Sequence, residues 1–284
     1  MKLAVITDST CDLTEQDLAA LKVERVPLYV NFKGEVYKDW LEINPGDIAK
    51  GVSGGADIPT TSQPSPQDFA EVFQRAADNG ADHIVCITIS SGLSGTYQSA
   101  TIAKENSPVP VSVFDSKAAS VGMGNMVKKA AAMRDAGASA EEVVAQLEHI
   151  RDVNFLLFTV ANLDFLQKNG RIGGAQALLG GLLNIKPLLT VVDGKVEPAG
   201  RVRGTKKAIK ELVSQTEDYA KNHPNPLTIT FLHIQDADAA ATLRQAVNDA
   251  GVQFKDGGTY EIGAVIASHV GPGTFGMYMH TEKA

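Results

Sequence analysis

Short apolar runs alternate with amphipathic stretches along the first half of the chain. Leu3–Thr7, Val26–Phe32, His83–Ile89 and Val111–Phe114 are brief and rich in β-branched or aromatic residues, which predicts strands. Val36–Tyr37 adds a further strand across a turn at Lys33-Gly34. Helix signals fall between these runs. Thr14 with Asp17 three residues on forms a capping box for a helix to Leu21. Asn44-Pro45 and Ser65-Pro66 each place a capping residue before proline, and the second helix runs to Asn79 with Gly80 as its stop. Further helices are expected from Gly95 to Glu105, Lys117 to Ala136 and Ser139 to Ile150.

This βαβα order predicts a parallel sheet covered by helices on both faces, with the loops that follow each strand gathered along one edge. Ligands bind at that edge in open α/β sheets. Three loops there are rich in hydroxyls: Asp8-Ser9-Thr10, Ser90-Ser91-Gly92-Leu93-Ser94-Gly95-Thr96 and Asp115-Ser116. The stretch Thr60-Thr61-Ser62-Gln63-Pro64, leading into the next helix, has the same character.

The pattern changes after residue 154. Phe155–Val160 reads as a strand, Leu163–Lys168 as a short helix and Ala175–Leu183 as a strongly apolar helix. Pro187–Val192 and Lys195–Pro198 form a hairpin about Asp193-Gly194. Thr205–Asn222 is a long amphipathic helix, followed by Leu227–His233 (strand), Ala237–Ala250 (helix), Glu261–Ala267 (strand) and Phe275–Met279 (strand). The expectation is an α/β protein of two domains: a three-layer α/β/α parallel-sheet domain over 1–154 and an α+β domain with a mixed sheet over 155–284.

Composition fits that reading and excludes others. The 284 residues are 44% hydrophobic and 21% charged, enough to bury a core. Lys and Arg total 26 against 33 Asp and Glu, so the net charge of −7 argues against a nucleic-acid partner, which needs a basic face. Cys11 and Cys86 have no partner at metal-binding spacing and are expected to be buried, reduced thiols. Met1 runs straight into a strand, with no targeting leader expected, and Ala175–Leu189 is interrupted by Gln176, Gly180, Gly181, Asn184, Lys186 and Pro187. A cytoplasmic protein without an integral membrane segment, metal or cofactor is the expectation.

Two chemistries are open for the hydroxyl loops. Ser94 with His269 as base would make a serine esterase or thioesterase. However, the nucleophile elbow needs glycine where Thr96 stands, and no acid adjoins His269 in sequence. The other reading is an anion site, because first-turn amides lack internal partners and the helix dipole favours negative charge. His269, in Ser268-His269-Val270-Gly271-Pro272-Gly273, could donate one N–H to the same anion as a neutral imidazole. A small phosphorylated ligand at the Ser94 helix start is a third reading, although no phosphate-binding glycine loop is present. Arg201-Val202-Arg203-Gly204-Thr205-Lys206-Lys207 is a basic cluster on an acidic chain, either solvated or a docking patch for an acidic partner.

Taken in order, Thr7-Asp8-Ser9-Thr10, Thr60 to Pro64, Ser90 to Ser99, Phe114-Asp115-Ser116-Lys117, Gly170-Arg171-Ile172, Lys186-Pro187 and His269 to Gly273 resemble the DegV family, which includes the bacterial FakB fatty-acid-binding proteins. The motifs extend over nearly the whole chain. The resemblance implies a non-enzymatic lipid-binding protein that encloses one long-chain fatty acid, such as palmitate, in a tunnel between two domains. The resemblance also implies a role in lipid transport or fatty acid metabolism. The implied carboxylate ligands are Thr61 and Ser94, supported by His269, with Ser62 and Gly95 alongside. In FakB members a separate kinase subunit phosphorylates the bound acid, and Arg203, with Arg201 beside it, matches the docking segment. The stretch Ala175–Leu189 and Phe158, Leu166, Met123 and Phe275 are candidates for tunnel wall or for plain core.

Overall fold

A computed structural model describes residues 2–180, 185–223 and 226–281. In chain order the first elements are β1 (Leu3–Asp8), a 3-10 turn (Ser9–Cys11), α1 (Glu15–Leu21), β2 (Glu24–Val26), β3 (Tyr29–Phe32) and β4 (Glu35–Lys38). There follow α2 (Pro45–Ser53), β5 (Thr60–Ser62), α3 (Pro66–Asp78), β6 (His83–Thr88), α4 (Thr96–Lys104), β7 (Val111–Asp115), α5 (Val121–Asp135) and α6 (Ala140–Val153). The remainder comprises β8 (Phe155–Thr159), α7 (Asp164–Lys168), a 3-10 turn (Gly173–Leu178), β9 (Ile185–Val192), β10 (Lys195–Arg203) and α8 (Thr205–Asn222). Last come β11 (Leu227–His233), α9 (Ala237–Asp249), β12 (Lys255–Glu261), α10 (Ala264–Val270) and β13 (Phe275–Thr281).

The chain divides into two compact units. The first comprises Met1–Asn44, Pro59–Asp152 and Gly263–Val265; the second comprises Pro45–Ile58, Val153–Ile262 and Ile266–Ala284. In the first unit, β2-β1-β6-β7 form a parallel sheet in which Val5 pairs with Val85 and Cys86 with Val113. The strands are apolar on successive residues because helices cover them. Phe69 and Phe73 of α3 and Ala100 of α4 pack on Ile6, Ile84 and Cys86, while α5 packs against β1 and β6. Both cysteines are buried and free. The capping boxes at Thr14 and Ser65 are both formed, each side chain accepting from the third helical amide. Such caps contribute about 1 kcal/mol each.

The second unit is built on a six-stranded mixed sheet, β10-β9-β8-β13-β11-β12, antiparallel except between β11 and β12. Its core joins Leu157, Phe231, Phe275 and Met277 from the sheet to Leu212 of α8 and Leu243 and Val247 of α9. Asp193 and Gly194, at φ 46° and 76°, turn the β9–β10 hairpin in the left-handed geometry that matches strand twist. Among the described residues, no helix is long and apolar enough to cross a membrane.

Four expectations change. Val26–Phe32 is two strands, β2 and β3, in different sheets, because Pro27 lacks the amide that would continue the ladder. Thr60–Ser62 is not loop but an edge strand pairing with β3, which with β4 makes a separate three-stranded sheet. Glu261–Ala267 is the end of β12 followed by the start of α10, although its β-branched content suits a strand. Ala175–Leu183 is a 3-10 turn over Gly173–Leu178, since Gly173 and Gly174 bring the backbone close to β10 and, with Gly180 at positive φ, weaken a regular helix. The rest of that expectation, 181–183, lies outside the described residues.

Candidate functional site

Within the first unit, the loop from β6 into α4 is held from below by Asp8 at the end of β1. Its carboxylate accepts from the Ile89 amide at 2.7 Å and from the Thr10 amide at 2.9 Å, with the Thr10 hydroxyl as a third donor. Burial outweighs these bonds and pushes the Asp8 carboxyl up to about 6. Above the anchor, the Leu93 and Ser94 amides both donate to the Ser90 carbonyl, and Ser91 is tied through amide and hydroxyl to Asp115. The loop is thus fixed at three points before Ser94. The Ser94 hydroxyl lies 2.8 Å from that of Thr96 and is half-buried. Gly95 is the N-cap of α4 and supplies no side-chain cap; the first helical amide, Thr96, donates instead to the Ser94 hydroxyl at 3.3 Å.

The β5 edge strand meets this helix start through Gln63. Its amide donates to the Ser99 hydroxyl at 2.9 Å, and a Cβ on Gly95 would lie 2.7 Å from the Gln63 side-chain carbon. Thr61, half-buried, and Ser62, exposed, immediately precede Gln63 and, as neighbours on a strand, project to opposite faces. The first unit therefore brings Thr61, Ser62, Ser94 and Gly95 into one neighbourhood. Gln63 and Asp8 were not among the expected site residues. A glutamine between a hydroxyl run and a proline carries little sequence signal, while Asp8 gave one in standing at the carboxyl end of a strand.

His269 belongs to the second unit and sits in the last turn of α10, not in a loop after a strand. The 169–171 loop supports this turn. The Asn169 side chain donates to the Ser268 carbonyl at 2.8 Å, and Arg171 donates to the Asn169 carbonyl at 2.7 Å, which places the guanidinium charge beside His269. Burial, and then the Arg171 charge, lower the His269 pKa to about 4, so the imidazole is neutral at physiological pH. Because the folded value lies below the unfolded one, this group stabilises the fold fully above about 6.5 and loses that contribution as pH falls towards 4. Thermal melts between pH 7 and pH 4 are expected to show destabilisation that His269→Gln reduces; an equal slope in both proteins would contradict it.

Arg201 and Arg203 are exposed on β10, and Lys206, Lys207 and Lys210 are exposed on the opening turns of α8. No acidic residue stands in the first turn of α8, where the dipole favours anions and disfavours this basic run. Among the described residues, no group of three or more His, Cys, Asp or Glu could hold a metal ion. Ser94 is not among the residues with left-handed backbone and so lacks the strained turn of a hydrolase nucleophile.

The DegV family model matches residues 2–282. This chain belongs to the DegV family. A DegV domain-containing protein of Deinococcus radiodurans is 43% identical over 284 residues, all of both chains. The structure of a fatty-acid-binding DegV family protein from Thermus thermophilus aligns with a TM-score of 0.94 at 48% identity, covering 99% of this chain and 100% of that one. A stearic-acid-binding protein from Eubacterium ventriosum aligns with a TM-score of 0.90 at 28% identity over 98% of each. Both relatives match the two-domain DegV fold, so the seven motifs that suggested the family lie on a shared framework.

Proposed function

We propose that this DegV protein binds one long-chain fatty acid, of the palmitate class, in a buried tunnel, as a carrier in fatty acid metabolism and not as an enzyme. The observation that carries the reading is the 0.94 TM-score and 48% identity to a fatty-acid-binding relative over essentially the whole chain. Thr61 and Ser94, with Ser62 and Gly95 beside them, and His269 are the residues assigned to the carboxylate. A neutral imidazole donates a hydrogen bond without neutralising the carboxylate. Hydroxyls and amides do the same, so the bound acid keeps nucleophilic oxygens. Arg171, whose charge depresses His269, supplies the cationic field for a headgroup that gains negative charge. The exposed Arg201 and Arg203 support a further step, docking of a kinase subunit that converts the acid to an acyl phosphate in the cytoplasm.

Burying about 14 methylenes gains on the order of 11 kcal/mol at roughly 0.8 each. Lost translation and rotation take back at least about 4 kcal/mol. The remainder, at most about 7 kcal/mol, holds lipid through purification only with the added hydrogen bonds to the carboxylate, at about 1.5–3 kcal/mol each. Native mass spectrometry of the purified protein, followed by solvent extraction, is expected to show one adduct of long-chain fatty-acid mass per chain. A protein that stays at its sequence mass, both as isolated and after incubation with palmitate, would overturn the reading.

A further inference from the structure

Two carboxylates outside this proposed site are buried completely in the first unit and converge on one short segment. Asp12 Oδ1 accepts from the Gly263 amide at 3.0 Å and the Trp40 indole at 3.4 Å, and Asp39 Oδ1 accepts from the Val265 amide at 3.2 Å. The Ala264 amide also donates to Asp39. The fit at Gly263 is close: a Cβ there would lie 2.6 Å from the Asp12 carboxylate oxygen. The pair therefore caps the entry to α10, and the same helix carries His269 at its other end.

The remaining oxygens define the charge state. Asp12 Oδ2, Asp39 Oδ2 and the hydroxyl of Ser120, which faces Asp12, are buried without a hydrogen-bond partner among the described residues. Two hydroxyl hydrogens face the pair, Ser120 at Asp12 and Ser9 at Asp39, so it is the balance of charge that calls for a further proton. The cation facing Asp39 is Arg25 of β2, which also pairs with Glu15 and donates to the Leu13 carbonyl. Cys11, beside Asp12, is a buried thiol whose pKa is pushed up to about 12, so it adds no charge; Asp8, acting on Cys11, adds a negative one. One shared cation cannot compensate two buried carboxylates, whose desolvation is costly unless one is neutral. Three non-glycine residues at the cluster, Asp12, Trp40 and Ser120, hold left-handed φ of 52°, 66° and 56°. Such strain persists only where the surroundings over-determine it.

We propose that Asp12 and Asp39 hold one proton between them and form a proton-dependent latch that positions the Gly263–Val265 entry to the His269 helix. Losing that proton leaves two like charges buried in one cluster, where Asp39 already acts on Asp12 through its charge, and this loosens the segment. Burial raises both carboxyls, Asp12 to about 8 and Asp39 to about 7. Groups raised on folding stabilise at low pH and lose that contribution as pH rises through the folded values, so the latch opens on the alkaline side. The consequence for ligand retention rests on the fatty-acid reading; the latch itself does not.

Trp40 is the sole tryptophan of the chain and touches Asp12, so its emission reads the pair directly. In lipid-free protein titrated from pH 5.5 to 9, Trp40 emission is expected to change with a midpoint between 7 and 8. Over the same interval, deuterium uptake by 263–270 should rise beyond its intrinsic pH dependence. Asp12→Asn keeps an acceptor for Gly263 and gains fixed hydrogens, so it should hold the closed state with both transitions lost. A parent without either transition, or an Asp12→Asn protein that retains both, would overturn the latch. Should that variant misfold, carboxyl carbon NMR of the parent decides. One of the two aspartates must still be protonated at pH 6.5, and finding both ionised there refutes the proposal.

Discussion

Thr61→Val and Ser94→Ala are each expected to weaken fatty-acid retention roughly ten- to hundredfold, since a hydrogen bond to a charged group contributes about 1.5–3 kcal/mol. Neither change empties a core. Thr61 lies half-buried on an edge strand, and Ser94 loses only its contacts with Thr96. The fold should therefore survive while binding falls, and the double variant should retain less lipid than either alone. The check is a competition titration with a fluorescent long-chain acid, with melting temperature recorded alongside. Parental affinity in both single variants would remove these two residues from the headgroup site without touching the family assignment.

A larger effect on stability is expected at Gly276. This residue lies on β13, between β8 and β11, opposite Phe158. A Cβ there would sit 2.6 Å from both the Cα and Cβ of Phe158, and backbone cannot yield as the tip of a side chain can. Overpacking typically costs about 1–3 kcal/mol, occasionally more, and the central position leaves no edge to relax into. Gly276→Ala should lower the melting temperature by roughly 6–12 °C, taking about 3 kcal/mol at 2–4 °C per kcal/mol. Differential scanning calorimetry tests this; a shift under about 2 °C would mean that the sheet opens at β8 more readily than the packing implies.

Elements stabilised by their own sequence were legible before the fold was seen. Thr205–Asn222 and Leu227–His233 match the sequence reading end to end, and the Thr14 and Ser65 caps form as their spacing dictates. The losses occur where distant residues decide. Ile262, Val265 and Ile266 favour a strand, yet Asp12 and Asp39 supply acceptors for the amides that open α10 there. Lys255–Glu261 forms a strand on pairing with β11, although Gly257-Gly258 argues against one. At the candidate site, hydroxyls and the histidine stood out by residue type. Gln63, Asn169 and Arg171 matter through what they touch, which one sequence does not display.

The contact between Asp12 and Gly263 spans 251 residues. During synthesis at about 5–20 residues per second, the amino-terminal sheet would wait roughly 13–50 s for the strip that completes it. Until then two carboxylates destined for burial remain hydrated, and the nascent chain is held short of its final packing.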